Sequence, residues 1–85
     1  MKIWKWNLEV TDLQTIEMPE KARIMTAQFQ NGELAIWAEV DPELPPTPRT
    51  IEIIGTGNPV PDAERRYIAT VQESVLVWHI YERLK

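Results

Sequence analysis

Two runs of alternating apolar and polar residues flank Asn31-Gly32 and predict a β-hairpin. Asn-Gly favours a two-residue turn of type I′, because both central residues must adopt positive φ. If residues 23–30 fold back on residues 33–40, one face is almost wholly apolar, with the facing pairs Phe29/Leu34, Ala27/Ile36, Met25/Ala38 and Arg23/Val40. The other face is polar except for Trp37, which lies opposite Thr26. One apolar face is typical of a small antiparallel β domain.

Further strands are predicted on both sides of this hairpin. Residues 2–10 alternate strictly, as in a half-buried strand, and residues 14–18 predict a short second strand that ends at Pro19. Residues 41–49 contain four prolines and predict an extended surface loop, since proline donates no backbone hydrogen bond. Residues 50–54, which are apolar and rich in β-branched side chains, predict a fifth strand.

A second hairpin is predicted for residues 66–72 and 75–82 around Glu73-Ser74. Its facing pairs would be Val71/Leu76, Ala69/Trp78 and Tyr67/Ile80 on one side, and Thr70/Val77, Ile68/His79 and Arg66/Tyr81 on the other. Both sides carry apolar side chains, so we expect its own domain to cover one side and a partner the other. The predicted fold is all-β, a single small domain over residues 1–85. It has five to six antiparallel strands, arranged as a barrel or a sandwich, with two β-hairpins.

Length and composition narrow the class of protein. A chain of 85 residues buries only about 60–65% of the surface that its unfolded form exposes, so its core is thin. The absence of cysteine excludes disulfides, thiolate catalysis and cysteine-based zinc sites. Because assembly is the remaining common way to strengthen a thin core that holds four tryptophans, we expect a homo-oligomer, a dimer or higher.

Charge and hydropathy indicate where the protein acts. The net charge of −4 and the pI near 4.9 disfavour binding to nucleic-acid backbones. Residues 1–6 alternate instead of forming the apolar core of a signal peptide. No segment approaches the roughly 20 apolar residues that cross a bilayer. We therefore expect no nucleic-acid partner, no membrane association and a cytoplasmic location.

Several segments resemble a family of small, uncharacterised proteins encoded mainly by bacteriophages and prophages. The matching segments are Lys2-Ile3-Trp4-Lys5, Gln14-Thr15-Ile16-Glu17-Met18-Pro19, the Asn31-Gly32 hairpin with Leu34 and Trp37, Val40-Asp41-Pro42, Gly55-Thr56-Gly57-Asn58-Pro59-Val60-Pro61, Tyr67-Ile68-Ala69-Thr70-Val71-Gln72 and Val77-Trp78-His79-Ile80-Tyr81-Glu82. The resemblance covers nearly the full length. It implies a phage accessory protein that acts in the cytoplasm of an infected bacterium, and it brings no known activity or catalytic residue.

The segment Gly55-Thr56-Gly57-Asn58-Pro59 is the most site-like part of the sequence. Two glycines allow backbone amides to turn toward a ligand, and such nests bind phosphate or carboxylate oxygens. Arg65 and Arg66 would supply positive charge nearby. The simpler interpretations are a turn that requires positive φ, and a solvated arginine pair that balances Asp62 and Glu64.

Two further side chains are candidate contacts. His79 is the only histidine, and it would either donate to a ligand phosphate or hydrogen-bond within the fold. One histidine without cysteine does not make a zinc site, so we expect no metal and no cofactor. Trp37 lies on the polar face of its hairpin, which suggests an interface or a ligand site. Ser74, the only serine, falls in a predicted turn, and we expect no enzymatic activity.

Two kinds of function fit these features. In the first, the protein is a non-catalytic counter-defence binder that sequesters a host nucleotide-type signalling molecule. The contacts would be Gly55, Thr56, Gly57, Asn58, Arg65, Arg66, His79 and Trp37. In the second, it is a protein–protein inhibitor of a host defence factor, or a small virion or assembly accessory module, which docks through Trp37 and the proline-rich loop. The sequence does not choose between a nucleotide and a host protein.

Overall fold

In the computed structural model, which describes residues 1–84, the chain forms seven β-strands. They are β1 (Lys2–Asn7), β2 (Leu13–Pro19), β3 (Arg23–Gln30), β4 (Glu33–Val40), β5 (Pro46–Gly55), β6 (Arg65–Glu73) and β7 (Leu76–Arg83). All pairings are antiparallel, in a three-stranded sheet of order β1-β4-β3 and a four-stranded sheet of order β2-β5-β7-β6. The all-β prediction is confirmed, with one strand more than expected, and the sheets do not close into a barrel. No helix in residues 1–84 is long and apolar enough to cross a membrane.

The two sheets share one hydrophobic core. Its largest fully buried side chains come from both sheets: Met18, Leu34, Ile36, Val40, Ile51 and Ile80. Each contributes about 1.5–3 kcal/mol of burial free energy, and five of the six lie on β4, β5 and β7, the strands with a neighbour on both sides. Trp6 and Trp78 pack against this core, whereas Trp4 on the edge strand β1 is 40% exposed.

The turn of the first hairpin is confirmed. Asn31 and Gly32 have φ values of 53° and 80°, which a type I′ turn requires at both central positions. Residues 26–30 pair with residues 33–37 in the predicted register. Local turn chemistry therefore fixes the pairing over the half of the hairpin next to the turn.

A β-bulge changes the register further along β3. It leaves Met25 unpaired and exposed, and Ile24 takes the place opposite Ala38. The predicted pairing of Met25 with Ala38, and of Arg23 with Val40, is wrong for this reason. Ile24 and Met25 are both apolar, so alternation along the sequence gives no signal of the extra residue.

The second hairpin turns at Ser74-Val75, one residue later than the predicted Glu73-Ser74. Ser74 adopts a positive φ of 55°, and Val71 pairs with Trp78 instead of Leu76. The register therefore differs from the prediction by two residues. A shift of two leaves every side chain near the turn on its predicted face, because side chains alternate with a period of two.

A second bulge interrupts β6 and does change faces. Ile68 is left unpaired, so Tyr67 pairs with Tyr81 and Arg66 pairs with Glu82. Tyr67 consequently lies on the outer face of the four-stranded sheet, and Arg66 lies on the side that faces the other sheet. The predicted faces of these two residues are exchanged.

The proline-rich segment is partly strand. Residues 46–49 belong to β5 and pair with β2, so the prediction of a loop up to Arg49 is wrong for them. Pro46 lies opposite Pro19, and Pro48 lies opposite Glu17. The strand β7 joins β5 only beyond this segment, at Thr50. Within the described chain, residues 46–49 have no neighbouring strand on this side. The missing N–H groups of the prolines therefore break no interstrand hydrogen bond there.

A largely buried ion pair lies on the core-facing side of the four-stranded sheet, where Glu82 is opposite Ile51. Arg49 donates to Glu82 through Nε and through Nη2, and the second contact is 3.0 Å long. Its Nη1 donates to the carbonyl oxygen of Ala22 at 3.0 Å. One guanidinium group therefore connects β5, β7 and the turn that leads into β3.

Candidate functional site

The glycine segment is a tight turn at the end of β5. Asn58 N donates to Gly55 O at 3.0 Å, and Gly57 has a φ of 92°, which matches a type II turn. Thr56 N donates to Val77 O at 3.2 Å. Two of the three amides in residues 56–58 are thus used inside the protein. The expected amide nest reduces to the single N–H of Gly57.

Gly55 is required for packing. A Cβ atom at this position would lie 3.1 Å from the Trp78 ring and 3.0 Å from Asn58 Nδ2. Such distances are too short for ordinary contacts, so the absence of a side chain lets the turn lie directly on the indole.

His79 is joined to this turn by hydroxyl groups on the outer face of the four-stranded sheet. Its Nε2 lies 2.8 Å from Thr56 Oγ1, and its Nδ1 lies 3.1 Å from Thr70 Oγ1. Thr70 in turn contacts the hydroxyl of Tyr67 at 2.7 Å. Hydroxyl groups can donate or accept, so both ring nitrogens are satisfied. In this arrangement His79 holds the turn against the sheet.

A buried carboxylate lies farther along the same face. Glu52 is 3% exposed and accepts from Arg65 Nε at 2.7 Å and from Arg83 Nε at 3.0 Å. The two arginines lie opposite each other on β6 and β7, so Glu52 offsets the repulsion of a like-charge cross-strand pair. The hydrogen bond to Glu52 raises the pKa of Arg65 above the usual arginine value, while burial works in the opposite direction.

Arg65 also connects the sheet to the loop that follows the glycine turn. Its Nη2 donates to Pro61 O at 2.5 Å, and its guanidinium carbon lies 5.7 Å from the centroid of the Tyr81 ring. This geometry combines a hydrogen bond with a cation–π contact. The loop is therefore held over the sheet from both ends, by His79 at one and by Arg65 at the other.

A pocket of about 420 Å³ lies between this loop and the outer face of the four-stranded sheet. We call it the outer pocket. Its polar lining residues are Asp12, Glu52, Asn58 and Arg83, and its apolar walls include Leu13, Ile54, Pro59 and Pro61. Within residues 1–84, Arg83 uses only its Nε, so both Nη groups are unpaired. The pocket thus combines one partly free cation with largely apolar walls.

Sequence reasoning missed Glu52 and Arg83. Arg83 can be inferred from the strand pattern, because residues 79, 81 and 83 of β7 lie on one face and His79 is a candidate contact. Glu52 gave no comparable signal, since its importance depends on which strands flank β5.

The eight candidate residues fall in three places. Gly55, Thr56, Gly57, Asn58, Arg65 and His79 lie together around the turn and the outer face of the four-stranded sheet. Arg66 is exposed on the opposite side of β6. Trp37 is half-buried on the outer face of the three-stranded sheet, between Lys5 and Thr26. Trp37 and the glycine turn therefore lie on different sheets, Trp37 on β4 and the turn at the end of β5.

These features define a small all-β domain of two packed antiparallel sheets with a polar pocket on one of them. The chain belongs to the family described as Domain of unknown function (DUF7352), whose model matches residues 1–85. No curated protein and no solved structure matches it. Among residues 1–84, no group of three or more His, Asp or Glu side chains is placed to hold a metal ion.

Proposed function

We propose that this protein is a non-catalytic binding protein that captures a small nucleotide-type ligand in the outer pocket. The proposal rests on one observation: Arg83 presents two Nη groups that have no partner among residues 1–84, in a cavity with apolar walls. The volume of about 420 Å³ lies within the range of roughly 300–1,000 Å³ that is usual for small-molecule sites.

The lining offers a contact for each part of such a ligand. The Nη groups of Arg83 can donate in parallel to phosphate oxygens, which is the geometry that makes arginine a good phosphate ligand. Leu13 and Pro59 provide apolar surface for a base. Asp12 can accept hydrogen bonds from sugar hydroxyl or base amino groups, and Asn58 can donate or accept.

The same lining argues for binding without catalysis. Glu52 is the most buried carboxylate in the pocket, and both of its oxygens accept from arginine, so it is poorly suited to act as a base. His79 is engaged by two threonine hydroxyls on the same sheet. Asp12 is the other carboxylate of the lining, and the lining offers it no second acid or base with which to act.

The biological context in our proposal comes from the resemblance to phage-encoded proteins. A phage protein that binds a host nucleotide signal would lower the free concentration of that signal in the host bacterial cytoplasm and so counteract the host defence. Sequestration requires tight binding of the signal and enough protein molecules to bind it, but no catalysis. A binding domain of 85 residues can meet these requirements.

Incubation of the purified protein with lysate from defence-activated cells tests this proposal. We expect heat to release a nucleotide-containing small molecule, identified by mass spectrometry. Arg83→Gln should weaken binding by about 1.5–3 kcal/mol, the scale of a charge-assisted hydrogen bond. Lys2→Gln is the matched control, because it removes the same charge from an exposed residue on β1. A host polypeptide retained in place of a small molecule would contradict sequestration and support a protein–protein inhibitor.

We further propose that two copies associate through β1. This strand pairs only with β4, and its side chains Ile3 and Trp4 are 58% and 40% exposed. An edge strand with exposed apolar side chains can pair with another chain, and the ammonium group of Lys5 on this strand is held by Gln30 at 2.8 Å. Light scattering at micromolar concentration should therefore give about twice the monomer mass of 9.9 kDa.

A charge in the middle of this edge should prevent the association. Trp4→Lys is expected to give the monomer mass, because it replaces a large exposed apolar side chain of the edge strand by a third lysine. Val75→Lys should leave the dimer intact, since Val75 is apolar and more exposed than Trp4 but lies in the turn between β6 and β7. A monomer for the unmodified protein would refute the proposed association.

A further inference from the structure

A second cleft lies at the seam where β3 meets β6, outside the outer pocket. Its volume is about 390 Å³. We call it the seam cleft. Three cationic residues line it, Lys21, Arg23 and Arg66, together with the exposed Met25 and with Tyr67, whose side chain lies on the outer face of the four-stranded sheet. None of these five residues lines the outer pocket.

The seam cleft is positively charged on a protein whose net charge is −4. Within residues 1–84, the side chains of Lys21 and Arg66 make no hydrogen bond and no ion pair. Arg23 approaches Glu39 only to 3.6 Å, and both side chains are exposed, so this pair is weak. The acidic lining residue, Glu82, is already neutralised by Arg49. The cations of the cleft are therefore largely uncompensated.

The two β-bulges of the fold both open onto this cleft. The extra residues, Met25 in β3 and Ile68 in β6, are both part of its lining. Bulges are enriched next to functional sites, because they re-aim a side chain and end regular pairing. Here the bulge at Ile68 is what turns Arg66 from the outer face toward the cleft. Two distortions on different strands thus converge on one group of unpaired cations.

We infer that the seam cleft binds a small molecule that carries two or more phosphate groups. Cations on β3, on β6 and on the turn between β2 and β3 surround the cleft, which suits an anion with its charge spread over more than one group. The exposed side chain of Met25 offers apolar surface to the rest of the ligand. This site is additional to the outer pocket and does not depend on the function proposed there.

Titration with inorganic pyrophosphate, followed by ¹H–¹⁵N NMR at about 0.15 M salt, tests the inference. At this ionic strength the Debye length is about 8 Å, so diffuse attraction to scattered surface charges is largely screened. We expect saturable shifts concentrated in residues 21–25 and 66–68. Arg66→Gln should weaken binding about 10-fold or more, the usual effect of losing one charge-assisted hydrogen bond. Arg66 is exposed and unpaired, so the variant should fold normally.

Two control variants separate this site from the alternatives. Lys2→Gln removes the same charge from β1 and should change the affinity by less than about twofold, as expected for an exposed residue outside the cleft. Arg83→Gln, which alters the outer pocket, should leave the pyrophosphate-induced shifts in residues 21–25 and 66–68 unchanged. Non-saturable shifts, or equal weakening by Lys2→Gln, would show that only general electrostatic attraction operates and would overturn the inference. Shifts centred on residues 55–61 and lost in Arg83→Gln would assign the anion to the outer pocket and would equally overturn it.

Discussion

Glu82→Leu is expected to lower the free energy of unfolding by about 3–5 kcal/mol, because it leaves Arg49 charged and unpaired between the sheets. The Glu82 side chain is 7% exposed, and Arg49 would retain only its contact with Ala22 O. An 85-residue domain has a total stability of about 4–13 kcal/mol. The loss would therefore unfold a large fraction of the protein or lower its melting temperature by on the order of 20 °C. Urea denaturation followed by circular dichroism measures the change.

A double replacement distinguishes the loss of the pair from the loss of packing. In Arg49→Leu/Glu82→Leu both charges are gone, and most of the lost stability should return, since hydrophobic replacements of buried ion pairs are often neutral or stabilising. Glu39→Gln is the matched control. It breaks the exposed pair with Arg23 and should cost less than about 1 kcal/mol. A double variant no more stable than Glu82→Leu would show that the ion pair is not the cause.

Local chemistry explains why the first hairpin could be predicted. The turn requires positive φ at two adjacent residues, and Asn31-Gly32 is the single Asn-Gly pair in the sequence. The bulges at Met25 and Ile68 could not be predicted in the same way. They lie where β3 and β6 meet at the seam between the sheets, and that meeting depends on how the sheets pack. A bulge shifts faces without changing the local pattern of apolar residues, so periodicity does not reveal it.

The proline-rich segment shows how context overrides a local rule. Prolines disfavour a central strand, which made a loop the natural prediction for residues 41–49. Over residues 46–49, however, β5 has a neighbour on one side only. Whether a strand segment is an edge follows from the order of strands in the sheet, and the sequence does not give this order.

The candidate site follows the same division between local and long-range information. The turn at Gly55-Thr56-Gly57-Asn58 and the nearby His79 were found from residue types, and the structure joins them by a hydrogen bond. Trp37 was correctly placed on the polar face of its hairpin, but the packing of the sheets decides where that face points. Glu52 and Arg83 were missed because their meeting requires β5 and β7 to be neighbours.

Glu52→Gln is expected to have the second large effect, and it acts on the outer pocket directly. The substitution removes the carboxylate that separates Arg65 from Arg83 across β6 and β7. Two partly buried guanidinium groups then face each other without compensation, so the melting temperature should fall by on the order of 15 °C. Thermal unfolding by circular dichroism measures this fall. Glu17→Gln on the neighbouring β2 makes the same change of charge at an exposed position and should have little effect.

The same variant should loosen the loop over the pocket and strengthen anion binding. Arg65 holds Pro61 while it is fixed by Glu52, so hydrogen exchange should accelerate in residues 55–62 of Glu52→Gln. With the carboxylate gone, Arg83 and Arg65 can both turn to a phosphate, and inorganic phosphate should then stabilise the variant more than the unmodified protein. A second substitution, Arg83→Gln, should abolish this stabilisation by phosphate and recover part of the melting temperature, because it removes one of the two facing charges. Unchanged exchange in the loop, or phosphate stabilisation that survives Arg83→Gln, would mean that the Glu52 cluster does not organise an anion site.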